Sequence, residues 1–289
     1  MAMQRPHSPS LRRRRLSAEL KRARENMGMT TAQVAGELKW AVGKISKIEN
    51  AETKRISTPD LDRLLDLYKI RDQETREAMQ ALARDARERG WWSKYKEIFG
   101  ERALPDFEAE ASSIRSFEAL SIPGLLQTPE YAEAIFRGGR YTAPEEVKRR
   151  VDFRMARREI LLRFNPAHLR AVIDEAALRR VIGDREVMRT QLEHLLYMAQ
   201  LPNVDVQVLP FEAGAHSALA APFTILDFPD PLDTPIVYIG TVTDAVFLEE
   251  HGDIERCSAT FGDVQGAAMS TTRSAAFIKD VIASLESDQ

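Results

Sequence analysis

The chain has almost no cysteine. Cys257 is the only one among 289 residues, which excludes an intrachain disulfide and a cysteine-based zinc site and fits a reducing cytoplasm. Long apolar runs are also missing: none approaches the roughly 18 residues of a membrane span. The N-terminal stretch MAMQRPHSPSLRRRR has no apolar core of the kind a signal peptide needs, and reads instead as a disordered basic arm over 1–15. Catalytic signatures are absent too. There is no phosphate loop, no Gly-x-Ser-x-Gly elbow, no His-Glu-x-x-His and no dinucleotide Gly-x-Gly-x-x-Gly, so no enzymatic activity and no cofactor are expected. The histidines, at 7, 168, 194, 216 and 251, have no metal-ligand spacing. His251 with Asp253 and Glu255 reads as the acid-rich start of a helix and not as a metal site. No internal repeat is evident.

What the chain does have is charge of opposite sign at its two ends. Residues 1–60 carry 13 Lys/Arg against 6 Asp/Glu, whereas residues 201–289 carry 3 against 14. The first segment suits a polyanion and the second repels one. The net charge of −3 conceals this division.

Within the basic end the apolar spacing predicts five helices. Leu16, Leu20, Ala23 and Met27 form one stripe, which Gly28 ends. Thr30 caps a second helix over 31–38, with Val34, Ala35 and Leu38 facing inward. A third, about 42–50, buries Ile45 and Ile48. Ser57-Thr58-Pro59-Asp60 starts a fourth, with Thr58 as its cap, continued by Leu61, Leu64, Leu65 and Tyr68. A fifth runs from about Asp72 to Arg89. The second and third helices are joined so tightly that they must cross steeply, and Ala35 supplies the small side chain that such a crossing needs.

Gly28-Met29-Thr30-Thr31-Ala32-Gln33-Val34-Ala35, followed by Ile45-Ser46-Lys47-Ile48-Glu49-Asn50, resembles the Xre-type phage-repressor and Cro helix-turn-helix family over about residues 16–70. Three positions depart from that family. Thr31 replaces a glutamine that holds phosphate, Lys39 replaces the turn glycine, and Ala41 replaces the Ser or Thr cap of the third helix; the last two each cost about 1 kcal/mol. The resemblance implies that the third helix enters the major groove while the second lies across the backbone. Val42 then meets a thymine methyl, Gly43 allows close backbone approach, and Lys44, Ser46 and Lys47 lie at or near bases. Thr31 and Gln33 on the second helix, with Asn50, Lys54 and Arg55 past the third, fall where phosphate contacts are common. Arg12 to Arg15 follow the backbone or enter a minor groove. Glu49 is expected to be structural, pairing with an arginine or capping an amide.

A boundary is expected at Arg89-Gly90-Trp91-Trp92, giving a helix-turn-helix domain over 16–89, a linker over 90–106 and a mixed α/β domain over 107–289; the whole is α+β. Strands are expected at 107–117 and within HLRAVID, VDVQVLP, PFTILDF, TPIVYIG and DAVFLEE. Helices are expected in the segment opening TPEY, in a basic stretch over 145–164, in DEAALRRVIG and DREVMRTQLEHLLYMAQ, and over 252–268 and 271–285. Arg150, Arg154, Arg157 and Arg158 fall together at helical spacing, a candidate contact for a partner or ligand, or for carboxylates of the same domain. His216, in the small-residue loop AGAHSALAAP, is a further candidate.

Five landmarks, Ile122-Pro123-Gly124-Leu125-Leu126-Gln127-Thr128-Pro129-Glu130-Tyr131, Asp174-Glu175-Ala176-Ala177-Leu178-Arg179-Arg180, Gln191-Leu192, Val208-Leu209-Pro210-Phe211 and Gly214-Ala215-His216, resemble the uncharacterised C-terminal domain of actinobacterial Xre-type regulators. The resemblance implies a cytoplasmic transcriptional regulator, often paired with a small protein encoded beside it in an antitoxin-like arrangement. Two functions are therefore expected. The first is a homodimeric, sequence-specific regulator of double-stranded DNA whose C-terminal domain senses a partner protein or ligand. The alternative is an antitoxin-like interaction protein that uses DNA binding for autoregulation.

Overall fold

Leu11, Leu16 and Leu20 recur on one face of a helix, and each is at most 2% exposed along α1 (Pro9–Asn26). The computed structural model describes residues 9–87, 90–99, 104–139, 143–231, 233–241 and 245–287. Residues 9–15 are thus helical, not part of a disordered arm, because Leu11 has an apolar surface to bury against; residues 1–8 lie outside the described residues. Next come α2 (Thr31–Leu38), α3 (Val42–Glu49), α4 (Thr58–Leu67) and α5 (Gln73–Asp85). Their inward faces share one core containing Leu16, Leu20, Val34, Ala35, Leu38, Ile45, Ile48, Leu61, Leu64, Leu65, Tyr68 and Met79. The cap of α4 is Ser57 and not Thr58: its hydroxyl accepts from the Asp60 N–H at 3.2 Å, three residues on, which leaves Thr58 and Pro59 in the first turn. Asp72 caps α5 in the same way through Thr75.

A 3-10 turn (Trp91–Tyr95) and two short helices, α6 (Lys96–Phe99) and α7 (Leu104–Glu108), occupy the stretch expected as a linker and the start of the first strand. Pro105 and Asp106 sit in the opening turn of α7, where a missing N–H and an acid favour helix, so the strand begins only at Ser113. Two units result. The first takes in residues up to 96 and again 104–110; the second takes in 97–99 and residues from Ala111 onward.

The second unit is built on β1 (Ser113–Glu118). It continues through α8 (Pro129–Gly138), α9 (Pro144–Arg157), α10 (Glu159–Leu162), β2 (His168–Asp174), α11 (Glu175–Arg179), α12 (Arg185–Met198) and β3 (Val204–Leu209). β4 (Phe223–Asp227), β5 (Ile236–Gly240), β6 (Ala245–Leu248), α13 (His251–Ala267) and α14 (Thr271–Ser287) complete it. The expected helix over 145–164 is therefore two, divided at Arg158. The strands make one mixed sheet in the order β3-β2-β1-β4-β5-β6. β1, β2 and β3 are parallel, with α8–α10 and α11–α12 in the crossovers that parallel pairing requires, and β4 to β6 add antiparallel. Phe117, Val172, Ile225 and Val237 share a core with Ile254, Phe261 and Val264 of α13. Ile114, Ala171, Ile173 and Val206, of the opposite parity, are equally buried, so both faces are covered.

Candidate nucleic-acid interface

The turn between α2 and α3 departs from good local chemistry at two points and is repaired from a distance. α2 starts well: the Thr30 hydroxyl accepts from the Gln33 N–H, and the Gln33 Oε1 accepts from the Thr30 N–H at 2.8 Å. At its other end Lys39 adopts a left-handed conformation, φ 55° and ψ 43°, without a glycine's freedom. The Trp40 N–H donates to the Ala35 carbonyl at 2.8 Å, closing the turn. Arg63 of α4 donates to the otherwise unmet Leu38 carbonyl at 2.6 Å. Ala41 gives α3 no side-chain cap.

Ile45 and Ile48 bury one face of α3, and its other faces are open. Val42 is 66% exposed, Lys47 is exposed, and Ser46 is half-buried. A Cβ added at Gly43 would meet nothing within 4 Å, so packing inside the protein does not require glycine there. Lys47 forms no ion pair among the described residues. Lys44 is different: its Nζ lies 2.9 Å from Asp60 Oδ2 and 3.7 Å from the centre of the Trp40 ring. The Arg63 guanidinium sits 5.4 Å from the same ring, so two cations share one indole. Burial acts to raise the Asp60 carboxyl, but hydrogen bonds from Lys44 and Ser57 outweigh it and hold the group below its usual range.

The orientation of α3 is set by Glu49. Arg24 of α1 donates to it through Nε at 2.7 Å and Nη2 at 2.9 Å, and through Nη1 to the Met29 carbonyl at 2.6 Å. The two side chains are only 12% and 5% exposed, which makes this a forked, largely buried pair. Its hydrogen bonds hold Arg24 more firmly protonated than an isolated guanidinium, against the pull of burial. Burial beside Glu49 pushes the Tyr68 hydroxyl up to about 12.

The other expected contacts divide. Thr31 is half-buried, while Gln33, Asn50, Lys54 and Arg55 are exposed around α2 and α3. Gln33 commits its Oε1 to the capping box and keeps its amide donors. Arg12 lies on α1, 3.0 Å from Glu110, and Arg14 sits over the Phe107 ring, so these arginines brace α1 against the α7 region.

In the second unit the arginines of α9 and its end have polar partners within the same unit. Arg150 pairs with Glu146 at 2.9 Å, Arg154 donates to the Gln127 Oε1 at 2.6 Å, and Arg158 lies 3.2 Å from the His194 Nε2. Arg154 and Arg157 act electrostatically on Glu118, at the end of β1. Burial pushes that carboxyl up to about 7 against both arginines and the Ser116 hydroxyl. Glu118 was missed from sequence, since both faces of the sheet are covered and strand parity does not single it out. His216 is engaged locally: its Nδ1 accepts from the Ala218 N–H at 3.3 Å and its ring packs edge-on against Phe117. No group of acids, histidines or cysteines suited to a metal occurs among the described residues.

The landmarks of this unit are hydrogen-bonded joints. Gln191 is fully buried; it accepts from the Thr128 N–H at 2.7 Å and donates to the Leu126 carbonyl at 2.8 Å. Gln127 donates to the Ile122 carbonyl, and the Tyr131 hydroxyl accepts from the Ile122 N–H. Glu175 accepts from the Phe211 N–H. These residues hold the segment after β1 and the start of α8 against α12, and the turn that follows β3 against α11.

Comparison with known families yields two matches. A helix-turn-helix domain matches residues 15–79, and a domain of unknown function (DUF5753) matches residues 102–280. No curated protein and no solved structure matches the chain. The helix-turn-helix match implies DNA binding. Among the described residues, no helix is long and apolar enough to cross a membrane.

Proposed function

We propose, for a chain that belongs to the DUF5753 family and carries a helix-turn-helix domain ahead of that region, that it is a sequence-specific transcriptional regulator of the Xre type. It reads the major groove as a homodimer, since one such motif reads few bases and two-fold sites about 34 Å apart supply the rest. The observation that carries this reading is the open face of α3, where Val42, Gly43 and Lys47 stand clear of the core while Ile45 and Ile48 anchor the helix. Val42 contacts a thymine methyl, Gly43 admits close approach, and Lys47 with Lys44 supplies the polar contacts. Thr31, Gln33, Asn50, Lys54 and Arg55 hold phosphates. The C-terminal unit carries out no catalysis and uses no cofactor; it receives the signal of a small partner protein or ligand.

Genome-wide mapping of bound sites identifies the operator, and footprinting on it tests the reading face. Each bidentate base contact is worth about 1–3 kcal/mol, so Lys44→Ala with Lys47→Ala is expected to weaken operator binding at least about ten-fold while the fold survives. A folded double variant that still gives the wild-type footprint overturns the assignment.

A further inference from the structure

The ammonium of Lys44 is already occupied. Asp60 holds it at 2.9 Å, and Trp40 lies beneath it at 3.7 Å. Both members of the ion pair remain reachable from solvent, with side chains 38% and 28% exposed. α4 carries two other aspartates, and both are engaged elsewhere: Asp62 with Gln80, and Asp66 with Arg76. Asp60 is thus the α4 carboxylate committed to the reading helix. The Ser57 cap bonds to the Asp60 backbone N–H, so the Asp60 side chain is not needed to start α4. Arg63 has contacts of its own, over the Trp40 ring and with the Leu38 carbonyl.

We infer that Asp60 is an internal competitor for DNA, holding Lys44 against Trp40 so that the lysine reaches a phosphate or base edge only by exchanging one anion for another. The inference rests on the DNA-binding reading above. A lysine that stays on Asp60 neutralises no phosphate and displaces none of the counterions condensed on DNA, so there it adds nothing to the non-specific attraction that every duplex exerts. Only a site whose geometry repays the lost pair draws Lys44 away. Asp60 therefore sets the margin between operator and bulk DNA; it is a specificity-determining residue that need not touch DNA itself.

The test measures binding of the full-length protein to a dye-labelled 24-base-pair duplex of random sequence, by anisotropy, across a salt series. Asp60→Asn is expected to bind tighter than wild type, with a log–log salt slope steeper by about 0.9 per protomer, so that its advantage shrinks about three-fold for each bound protomer between 50 and 200 mM salt. In a Lys44→Met background the same substitution is expected to gain less than half as much, because the released lysine is gone. Circular dichroism verifies the fold, and Asp60→Ser repeats the measurement if the amide variant does not fold. An equal gain in both backgrounds overturns the inference, since it reduces the effect to removal of one negative charge. So does an unchanged Asp60→Asn while the wild type binds DNA. A wild type that binds no duplex at any salt overturns the DNA-binding reading and this inference together.

Discussion

Glu49 lies on α3, the helix proposed to read DNA, yet its carboxylate is bonded to Arg24 of α1. Breaking one partner of a buried ion pair leaves the other charged and unsolvated, which costs about 3–5 kcal/mol. Glu49→Gln is accordingly expected to loosen α3 without touching Lys44 or Lys47. Hydrogen exchange resolved by peptide checks this: residues 42–49 should lose protection in the variant, while α9 and α12 keep theirs. Sequence spacing revealed Ile45, Ile48, the Thr30 cap and the structural character of Glu49. It also exposed the missing turn glycine and the missing cap at Ala41. What it did not reveal is the repair, because Arg63 and Asp60 act on the turn from 16 to 25 residues away, and a local window does not contain them.

Helices and strands with strong periodicity were legible in outline; those decided by tertiary packing were not. α2, β2 and β3 fall where alternation and capping put them. The strand expected from Phe107 begins only at Ser113, because Pro105 and Asp106 favour a helix start that outweighs the partial alternation. The start of α1 fails for another reason. A run of four arginines reads as a solvated arm, but Leu11 is 2% exposed and Arg12 pairs with Glu110. Deleting residues 1–15 is therefore expected to act on stability. Losing a buried leucine alone costs about 1.5–3 kcal/mol. That should lower the melting temperature of the first unit by about 6–24 °C, on the order of 4–8 °C per kcal/mol for a unit of this size. A thermal melt by circular dichroism checks it; an unchanged melt with a flattened salt dependence of DNA binding would return these arginines to the role of a free arm.

Taken as a whole, the chain keeps its basic end and its acidic end in different units, with residues 1–60 and 201–289 on either side of the division. The second unit also contains a titration in the physiological range. The Glu118 carboxyl is pushed up to about 7 by burial, so the fold favours its protonated form. Below its ordinary range, near 4.5, the group is neutral whether folded or unfolded and contributes no pH dependence. As pH rises from there through 7 the unfolded chain ionises first, and the fold loses stability. Glu118→Gln is expected to melt with the wild type at pH 4 and above it at pH 8, a divergence that melts across that range will display. The landmarks of this unit were legible as a set but not as a mechanism, because Gln191, Gln127, Tyr131 and Glu175 are partners of backbone atoms, and a sequence does not say which ones.

The indole of Trp40 has a consequence for observing the molecule at work. The chain contains three tryptophans, at 40, 91 and 92, and all three belong to the first unit. Tryptophan emission therefore reports on the unit that contains α3, and the second unit contributes no indole. A cation 3.7 Å from an excited ring alters its emission. Movement of Lys44 toward an incoming phosphate would thus change the colour or yield of that light, and engagement with DNA can be followed without attaching any label.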